Sequence, residues 1–153
     1  MKICWKWIVR GLKKNNQNEQ KIRFEITETS LAAIGENHTR MLTHLKENGA
    51  EILLDDFGSG YSSFGMLQDY DFDILKMDIS FVRNIGVNKK SESILRAIID
   101  MAHQLEIRLV AEGAETEEQV AFLRENGCDY IQGYYYYKPM PEKEFLQLLD
   151  EGK

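Results

Sequence analysis

The amino-acid sequence alternates between segments typical of β-strands and segments typical of α-helices, and this order restricts the fold more than any other feature. Short apolar or alternating runs predict five strands, at residues 22–27, 51–55, 74–77, 108–111 and 130–134. Apolar residues at helical spacing, with capping signals, predict helices at residues 39–48, 63–69, 91–105, 116–126 and 141–149. Strand–helix repeats form parallel sheets covered by helices, so we expect an α/β fold, either a doubly wound open sheet or a β/α barrel.

Composition and charge exclude several classes of protein. The chain has 153 residues, of which 43% are hydrophobic, and a net charge of −6, which fits one domain and argues against DNA as a partner. The apolar run in residues 1–12 is interrupted by Lys6 and is shorter than the roughly 20 residues of a membrane span, so this segment predicts no membrane contact. Cys4 and Cys128 form no disulfide or zinc pattern. We therefore expect a cytoplasmic location, and the sequence leaves open whether a parent protein is membrane-anchored.

Charged and polar residues follow the predicted strands where each strand ends. The carboxyl ends of parallel strands meet at one rim of a β/α fold, where active sites are built. Converging carboxylates require positive charge, which a lysine supplies in part and a divalent cation can complete; oxygen ligands favour Mg²⁺, Mn²⁺ or Ca²⁺. Two adjacent aspartates can reach two cations, an arrangement common in phosphodiester hydrolysis. The residues at these strand ends are Glu25, Glu28, Asp55, Asp56, Lys76, Asp78, Glu112 and Gln132.

Each of these residues also has an ordinary structural explanation. A single carboxylate at a strand end is commonly a helix cap or a solvated side chain, and Asp55-Asp56 before a Gly-Ser-Gly turn fits turn chemistry. Four strands with the same chemistry at the same end are harder to explain in this way. The residues alone therefore predict an acidic metal site with hydrolytic or lyase chemistry.

The sequence resembles the EAL family of cyclic di-GMP phosphodiesterases at several segments that occur in the family's order. This resemblance implies a TIM-like β/α barrel that hydrolyses cyclic di-GMP to linear pGpG with Mg²⁺ or Mn²⁺. The matching segments are residues 25–28 (EITE), 55–63 (DDFGSGYSS), 76–78 (KMD), 111–115 (AEGAE) and 132–134 (QGY).

The resemblance also implies a role for each candidate site residue. Glu112 would be the general base or a ligand beside the attacking water, and Lys76 would orient that water and offset phosphate charge. Glu25 and Asp55 would bind a first cation, and Asp55 would bridge to a second that Asp56 and Asp78 also hold. Glu28 would brace the loop at residues 57–63, which in the family couples cation binding to dimerisation and in this chain implies a homodimer. The remaining loop and pocket residues would be Gly58, Ser59, Gly60 and Gln132.

The sequence departs from the family pattern in one important respect. The Glu-Ala-Leu triplet that names the family does not occur in the 153 residues, nor does the upstream strand with a ligand asparagine. We therefore expect an incomplete barrel, about five of eight strand–helix units, in residues 22–153, after a remnant helix and loop in residues 1–21. Such a truncated chain should have weak or no activity alone. Three alternatives remain: an inactive module that binds cyclic di-GMP or a protein, a barrel completed by another chain or copy, and an unrelated metal-dependent lyase or aldolase.

Overall fold

Five parallel strands form one sheet in the computed structural model, and their order across the sheet follows their order in the chain. The structure describes residues 23–32, 37–59 and 63–150. A doubly wound sheet reverses its strand order at a switch point, whereas a β/α barrel adds each strand beside the preceding one, as in this sheet. The elements are β1 (Arg23–Thr27), α1 (Glu28–Ala32), α2 (Asn37–Glu47), β2 (Glu51–Phe57), α3 (Ser63–Asp69), β3 (Ile74–Met77), α4 (Ile79–Arg83), α5 (Lys89–Gln104), β4 (Arg108–Glu112), α6 (Glu117–Glu125), β5 (Tyr130–Gln132) and α7 (Glu142–Asp150).

The hydrophobic core lies on the face of the sheet that the helices cover. Every second residue of the strands belongs to it, and side chains of α5 and α6 pack against them. Burying one Leu or Ile side chain contributes about 1.5–3 kcal/mol, so this layer determines which side of each strand faces the helices. The fully buried members include Ile52, Leu54, Leu75, Met77, Leu109, Leu95, Ile99 and Leu123.

The opposite face of the sheet, which we call the inner face, has charged residues at both ends and apolar residues between them. Leu53 and Ile74 form part of its middle and are buried, although they lie outside the core cluster. Strand alternation places Arg23, Glu51 and Arg108 at the amino ends of the strands on this face. The same alternation places Glu25, Asp55, Lys76 and Glu112 at the carboxyl ends.

Two aspartates in the loops before strands align the neighbouring strand through its backbone. Asp73, just before β3, accepts a hydrogen bond from the Ile52 N–H of β2 at 2.8 Å. Asp129, just before β5, accepts one from the Leu109 N–H of β4, also at 2.8 Å. Each of these aspartates also has a nitrogen-bearing side chain from a helix beside it, Lys46 Nζ at 3.2 Å and His103 Nε2 at 3.5 Å respectively. The same contact therefore occurs at two strand boundaries.

Several predicted helix ends are confirmed by the backbone. Thr116 caps α6, and Gln119 completes a capping box with it. Gly49 and Gly127 adopt positive φ angles of 88° and 79° just beyond α2 and α6. At both positions glycine allows the left-handed turn that closes the helix.

Other element boundaries differ from the sequence prediction. The short helices α1 and α4 were not predicted, because five residues are too few to show helical periodicity. Strand β2 continues to Phe57 instead of ending at Asp55. Strand β5 ends at Gln132 rather than at residue 134, because the chain turns at Gly133, whose carbonyl accepts the Tyr136 N–H at 3.1 Å.

The predicted remnant helix and loop in residues 1–21 lie outside the described residues. Residue 22, the predicted start of the first strand, lies outside them as well. Among the helices in the described ranges, none is long and apolar enough to cross a membrane.

Candidate active site

Lys76 lies at the carboxyl-end rim of the sheet, in contact with carboxylates from three other strands. Its Nζ is 2.7 Å from Glu112 Oε1 on β4, 3.1 Å from Asp55 Oδ1 on β2 and 3.4 Å from Glu25 Oε2 on β1. The lysine is only 9% exposed. The structure thus brings four predicted site residues, one from each of four strands, to a single point.

The sequence of β3 places the lysine there. Leu75 and Met77 are fully buried in the helix-covered core, and alternation directs Lys76 to the inner face. Ile74, also fully buried, lies one step below it on the same face. A lysine stem in such surroundings is packed along its length, while its ammonium group remains at the rim.

Opposite effects act on the pKa of Lys76. Burial, the largest single effect, lowers it, but hydrogen bonds to Glu112 and Asp55 and the attraction of their charges outweigh that effect. The pKa is therefore raised well above the ordinary lysine value. Contact with these carboxylates therefore favours the protonated, cationic form of Lys76.

Asp56 and Asp78 are placed differently from the three carboxylates around Lys76. Asp56 has a positive φ of 59°, its side chain is exposed, and its N–H donates to Asp55 Oδ1 at 3.0 Å. Asp78 caps α4 by accepting the Ser80 N–H at 2.9 Å. Their predicted role as ligands of a second cation stays a prediction.

The predicted loop and pocket residues lie around the same rim. Glu28 opens α1 and is 4% exposed, and Ser59 donates its N–H to the Asp56 carbonyl at 3.1 Å. Gly58 has a φ of 88°, and Gly60 lies outside the described residues. Gln132 pairs with Glu112 in the register of β4 and β5.

The chemistry of the rim fits a hard divalent cation, but its arrangement is centred on Lys76. The side chains that converge offer oxygen atoms only, the ligands that Mg²⁺, Mn²⁺ and Ca²⁺ prefer. One ammonium group against three carboxylates leaves an excess of negative charge. Within the described part of the chain, however, no three Asp, Glu, His or Cys side chains are grouped so that they could hold a metal ion.

The sequence analysis missed the contacts that hold the rim turns. Gly113 and Ala114 donate their N–H groups to the Gln132 carbonyl at 2.8 and 3.2 Å, and Tyr135 donates to the Ala114 carbonyl at 3.0 Å. A Cβ atom at Gly133 would collide with the backbone of Ala114. The available signal was a glycine directly after the last residue of β4 and of β5, at Gly113 and Gly133.

A comparison with known families agrees with this geometry. The sequence model of the EAL domain matches residues 3–139, which is most of the chain. This chain belongs to the EAL domain family. The family resemblance and the barrel fold inferred from the sequence are both confirmed.

Individual EAL proteins show how much of the domain is represented. The cyclic di-GMP phosphodiesterase NbdA of Pseudomonas aeruginosa is 42% identical over 129 residues, which are 82% of this chain and 16% of NbdA. The crystal structure of the EAL domain of Mycobacterium smegmatis DcpA superposes with a TM-score of 0.88 at 34% identity, over 95% of this chain and 66% of that one. The chain therefore spans less than the full length of both.

One further similar structure is a complex with a cation and a cyclic dinucleotide. The manganese and cyclic di-GMP complex of Klebsiella pneumoniae BlrP1 matches 84% of this chain and 33% of that one, with a TM-score of 0.79 and 29% identity. The five-stranded sheet thus corresponds to part of a fold that, in BlrP1, was crystallised with a divalent cation and cyclic di-GMP.

Proposed function

We propose that this chain supplies the acidic rim of a metal-dependent cyclic di-GMP phosphodiesterase, which hydrolyses the cyclic dinucleotide to linear pGpG. The observation that carries the proposal is Lys76 at the meeting point of Glu25, Asp55 and Glu112, on adjacent parallel strands. Its family membership and the activity named for NbdA support the same reaction.

In this proposal Glu112 and Lys76 act on the attacking water. Glu112 accepts the proton of the water as it attacks phosphorus, and its 2.7 Å contact with Lys76 fixes the orientation of the carboxylate. Lys76, whose cationic form is favoured by its carboxylate neighbours, orients the water and offsets the charge that develops on the phosphate oxygens. Gln132, next to Glu112 in register, supports the pocket wall.

The proposed cofactor is Mg²⁺ or Mn²⁺. Glu25 and Asp55 would hold the first cation, and Asp55, Asp56 and Asp78 the second. When bound, such cations polarise the phosphate and lower the pKa of a bound water. The oxygen-only donor set and the excess of carboxylates over ammonium groups support this assignment.

The proposal includes the extent and the assembly of the chain. Residues 22–153 would form a partial EAL domain after a remnant helix and loop in residues 1–21, with weak or no activity alone. The loop at residues 57–63, braced by Glu28, would contribute to a homodimer, and the protein would work in the cytoplasm.

The test of activity compares the purified chain with Asp55→Ala and, as a matched control, Asp100→Asn on the exposed side of α5. Cyclic di-GMP and Mn²⁺ are added, and pGpG is measured by chromatography. We expect slow pGpG formation that Asp55→Ala removes and Asp100→Asn leaves unchanged. Turnover at about 1 s⁻¹ or faster would contradict the weak activity. Binding of cyclic di-GMP without any pGpG would favour the inactive binding module instead.

The test of the cation site is a calorimetric titration with Mn²⁺ alone. The heat of binding should be present in the wild type and in Asp100→Asn and be lost in Asp55→Ala. Equal heats in all three proteins would mean that Asp55 holds no cation, whatever the outcome of the activity assay.

A further inference from the structure

The short helix α4 packs between two glycine turns of the rim. Gly58, after β2, and Gly113, after β4, have positive φ angles of 88° and 78°. A Cβ atom at Gly58 would collide with the ring of Phe81, and one at Gly113 would collide with the side chain of Ile79. Both Ile79 and Phe81 belong to α4. The helix therefore touches two turns that are 55 residues apart in the sequence, on either side of β3.

Each of these contacts lies next to a residue of the candidate site. Gly113 directly follows Glu112, and Gly58 is separated from the Asp55-Asp56 pair by Phe57 alone. Helix α4 itself begins immediately after Asp78, which caps it and whose N–H donates to the Phe57 carbonyl at 3.3 Å. One helical turn thus joins the ends of β2, β3 and β4.

The turn after Glu112 is held from its other side as well. The Gln132 carbonyl accepts the N–H groups of Gly113 and Ala114, so the turn cannot move away from Ile79 without breaking backbone hydrogen bonds. The turn at Gly113 is therefore confined between the Ile79 side chain on one side and the Gln132 carbonyl on the other. This turn directly follows Glu112, whose Oε1 lies 2.7 Å from Lys76 Nζ.

We propose that Ile79 is a positioning residue for Glu112, and that Phe81 does the same for the turn that follows Asp55. Neither side chain needs to touch substrate for this role. A catalytic role for this positioning rests on the proposed function. The effect of Ile79 on the contact between Glu112 and Lys76 is expected with or without hydrolysis.

The test follows the NMR signal of the Lys76 ammonium group, in which ¹⁵Nζ reports the hydrogen bonds to its carboxylate partners. The peak is assigned with Lys76→Arg. In Gly113→Ala the new methyl group displaces the turn, and the Lys76 signal should shift or be lost through faster hydrogen exchange. The signal of Lys46 should stay in place, because its partners Asp71 and Asp73 precede β3 and lie at the amino ends of the strands, opposite the end where α4 packs.

A double variant separates the Ile79 contact from backbone strain. Gly113→Ala is strained by its positive φ in any background, so this strain cancels in a comparison of Gly113→Ala with Gly113→Ala/Ile79→Ala. Removing the Ile79 side chain makes room for the methyl group, and the Lys76 signal should return toward its wild-type position. An unchanged signal in folded Gly113→Ala, or no return in the double variant, would overturn the inference.

If Gly113→Ala does not fold, the single variant Ile79→Ala decides, with Ile94→Ala as its control. Ile94 is 44% exposed on α5. The Lys76 signal should shift in Ile79→Ala and not in Ile94→Ala, and equal spectra at Lys76 would overturn the inference. A chain that shows these shifts but forms no pGpG would keep the positioning role and reject the proposed activity.

Discussion

The two ends of the inner face carry ionic clusters of opposite composition. At the carboxyl end, one lysine is surrounded by three carboxylates. At the amino end, one carboxylate is held by two arginines: Glu51 Oε2 is 2.7 Å from Arg23 Nε, and Glu51 Oε1 is 2.5 Å from Arg108 Nη2. The first cluster has excess negative charge and the second has excess positive charge.

The clusters also differ in exposure, and this difference separates their roles. At the carboxyl end, the side chains of Lys76, Asp55 and Glu112 are 11%, 20% and 27% exposed, and only Glu25 on the edge strand is more open, at 54%. At the amino end, the side chains of Arg23 and Arg108 are 52% and 38% exposed. Charges near water interact weakly, while the same charges in a buried rim interact strongly and select what can bind there. The amino-end cluster joins β1, β2 and β4 across the inner face. The carboxyl-end cluster has the excess of negative charge that a cation can offset. In β/α barrels, active sites lie at the carboxyl ends of the strands, and the amino ends contribute to stability.

The largest expected effect is the loss of the lysine from the rim. Lys76→Met leaves three carboxylates without their common partner. Breaking a fully buried ion pair costs about 3–5 kcal/mol, and because these carboxylates are 20–54% exposed we expect a loss at the lower end of that range, about 3 kcal/mol. Urea unfolding measures this cost. Lys46→Met is the matched control, because one of its two aspartate partners is 85% exposed, and surface pairs contribute about 0–1 kcal/mol. Equal losses in the two variants would remove the distinction between the two ends.

A smaller effect is expected from adding a side chain where the turn after β5 touches the turn after β4. Gly133→Ala forces a methyl group onto the backbone of Ala114, and overpacking of this kind costs about 1–3 kcal/mol. Gly65→Ala in α3 is the control, since a Cβ atom there meets nothing within 4 Å and alanine favours the helix. Urea unfolding should show the first variant less stable than the wild type and the second no less stable. If Gly133→Ala were as stable as the wild type, the turn after β5 could move away from the turn after β4 without cost.

The smallest effect is expected at the amino end. Hydrogen bonds from Arg108 and then Arg23 lower the pKa of Glu51 below its ordinary value. A lowered carboxylate pKa stabilises the fold above the unfolded pKa of about 4.3 and stops doing so as the pH falls through the folded value. Glu51→Gln should therefore cost about 1 kcal/mol or less at pH 7 and less still near pH 3.

Unfolding curves of wild type and Glu51→Gln at the two pH values test this prediction. Glu142→Gln, on the exposed first turn of α7, controls for loss of a surface charge. If the stability difference between wild type and Glu51→Gln grew as the pH fell, the arginines could not be what lowers the pKa of Glu51.

The sequence was informative where the pattern is local and periodic. The strand containing Lys76 was predicted with its exact bounds, and alternation around Leu75 and Met77 was sufficient to place the lysine on the inner face. The rim itself followed from a property of parallel sheets, that their carboxyl ends meet. These are features of single segments or of the architecture as a whole.

Contacts between distant segments could not be predicted in the same way. The pairing of Glu51 with Arg108 spans 57 residues and depends on strand register. Helix α4 is too short for periodicity, so its packing against Gly58 and Gly113 had no local signal. The tyrosines at residues 134–137 favour a strand, but the turn at Gly133 prevails because it satisfies backbone groups of the neighbouring loop.

The aspartates that precede β3 and β5 have a consequence for loop exchange between barrels. Surface loops ordinarily tolerate replacement, but in β/α barrels the loops at the amino ends of the strands contribute to stability. In this domain Asp73 and Asp129 each satisfy the N–H of a fully buried residue in the neighbouring strand, Ile52 and Leu109. A transplanted loop without an aspartate at that place would leave a buried donor unpaired, at a cost of about 1–3 kcal/mol. Chimeras of this domain should therefore keep Asp73 and Asp129, with the transplanted loop joined before each of them.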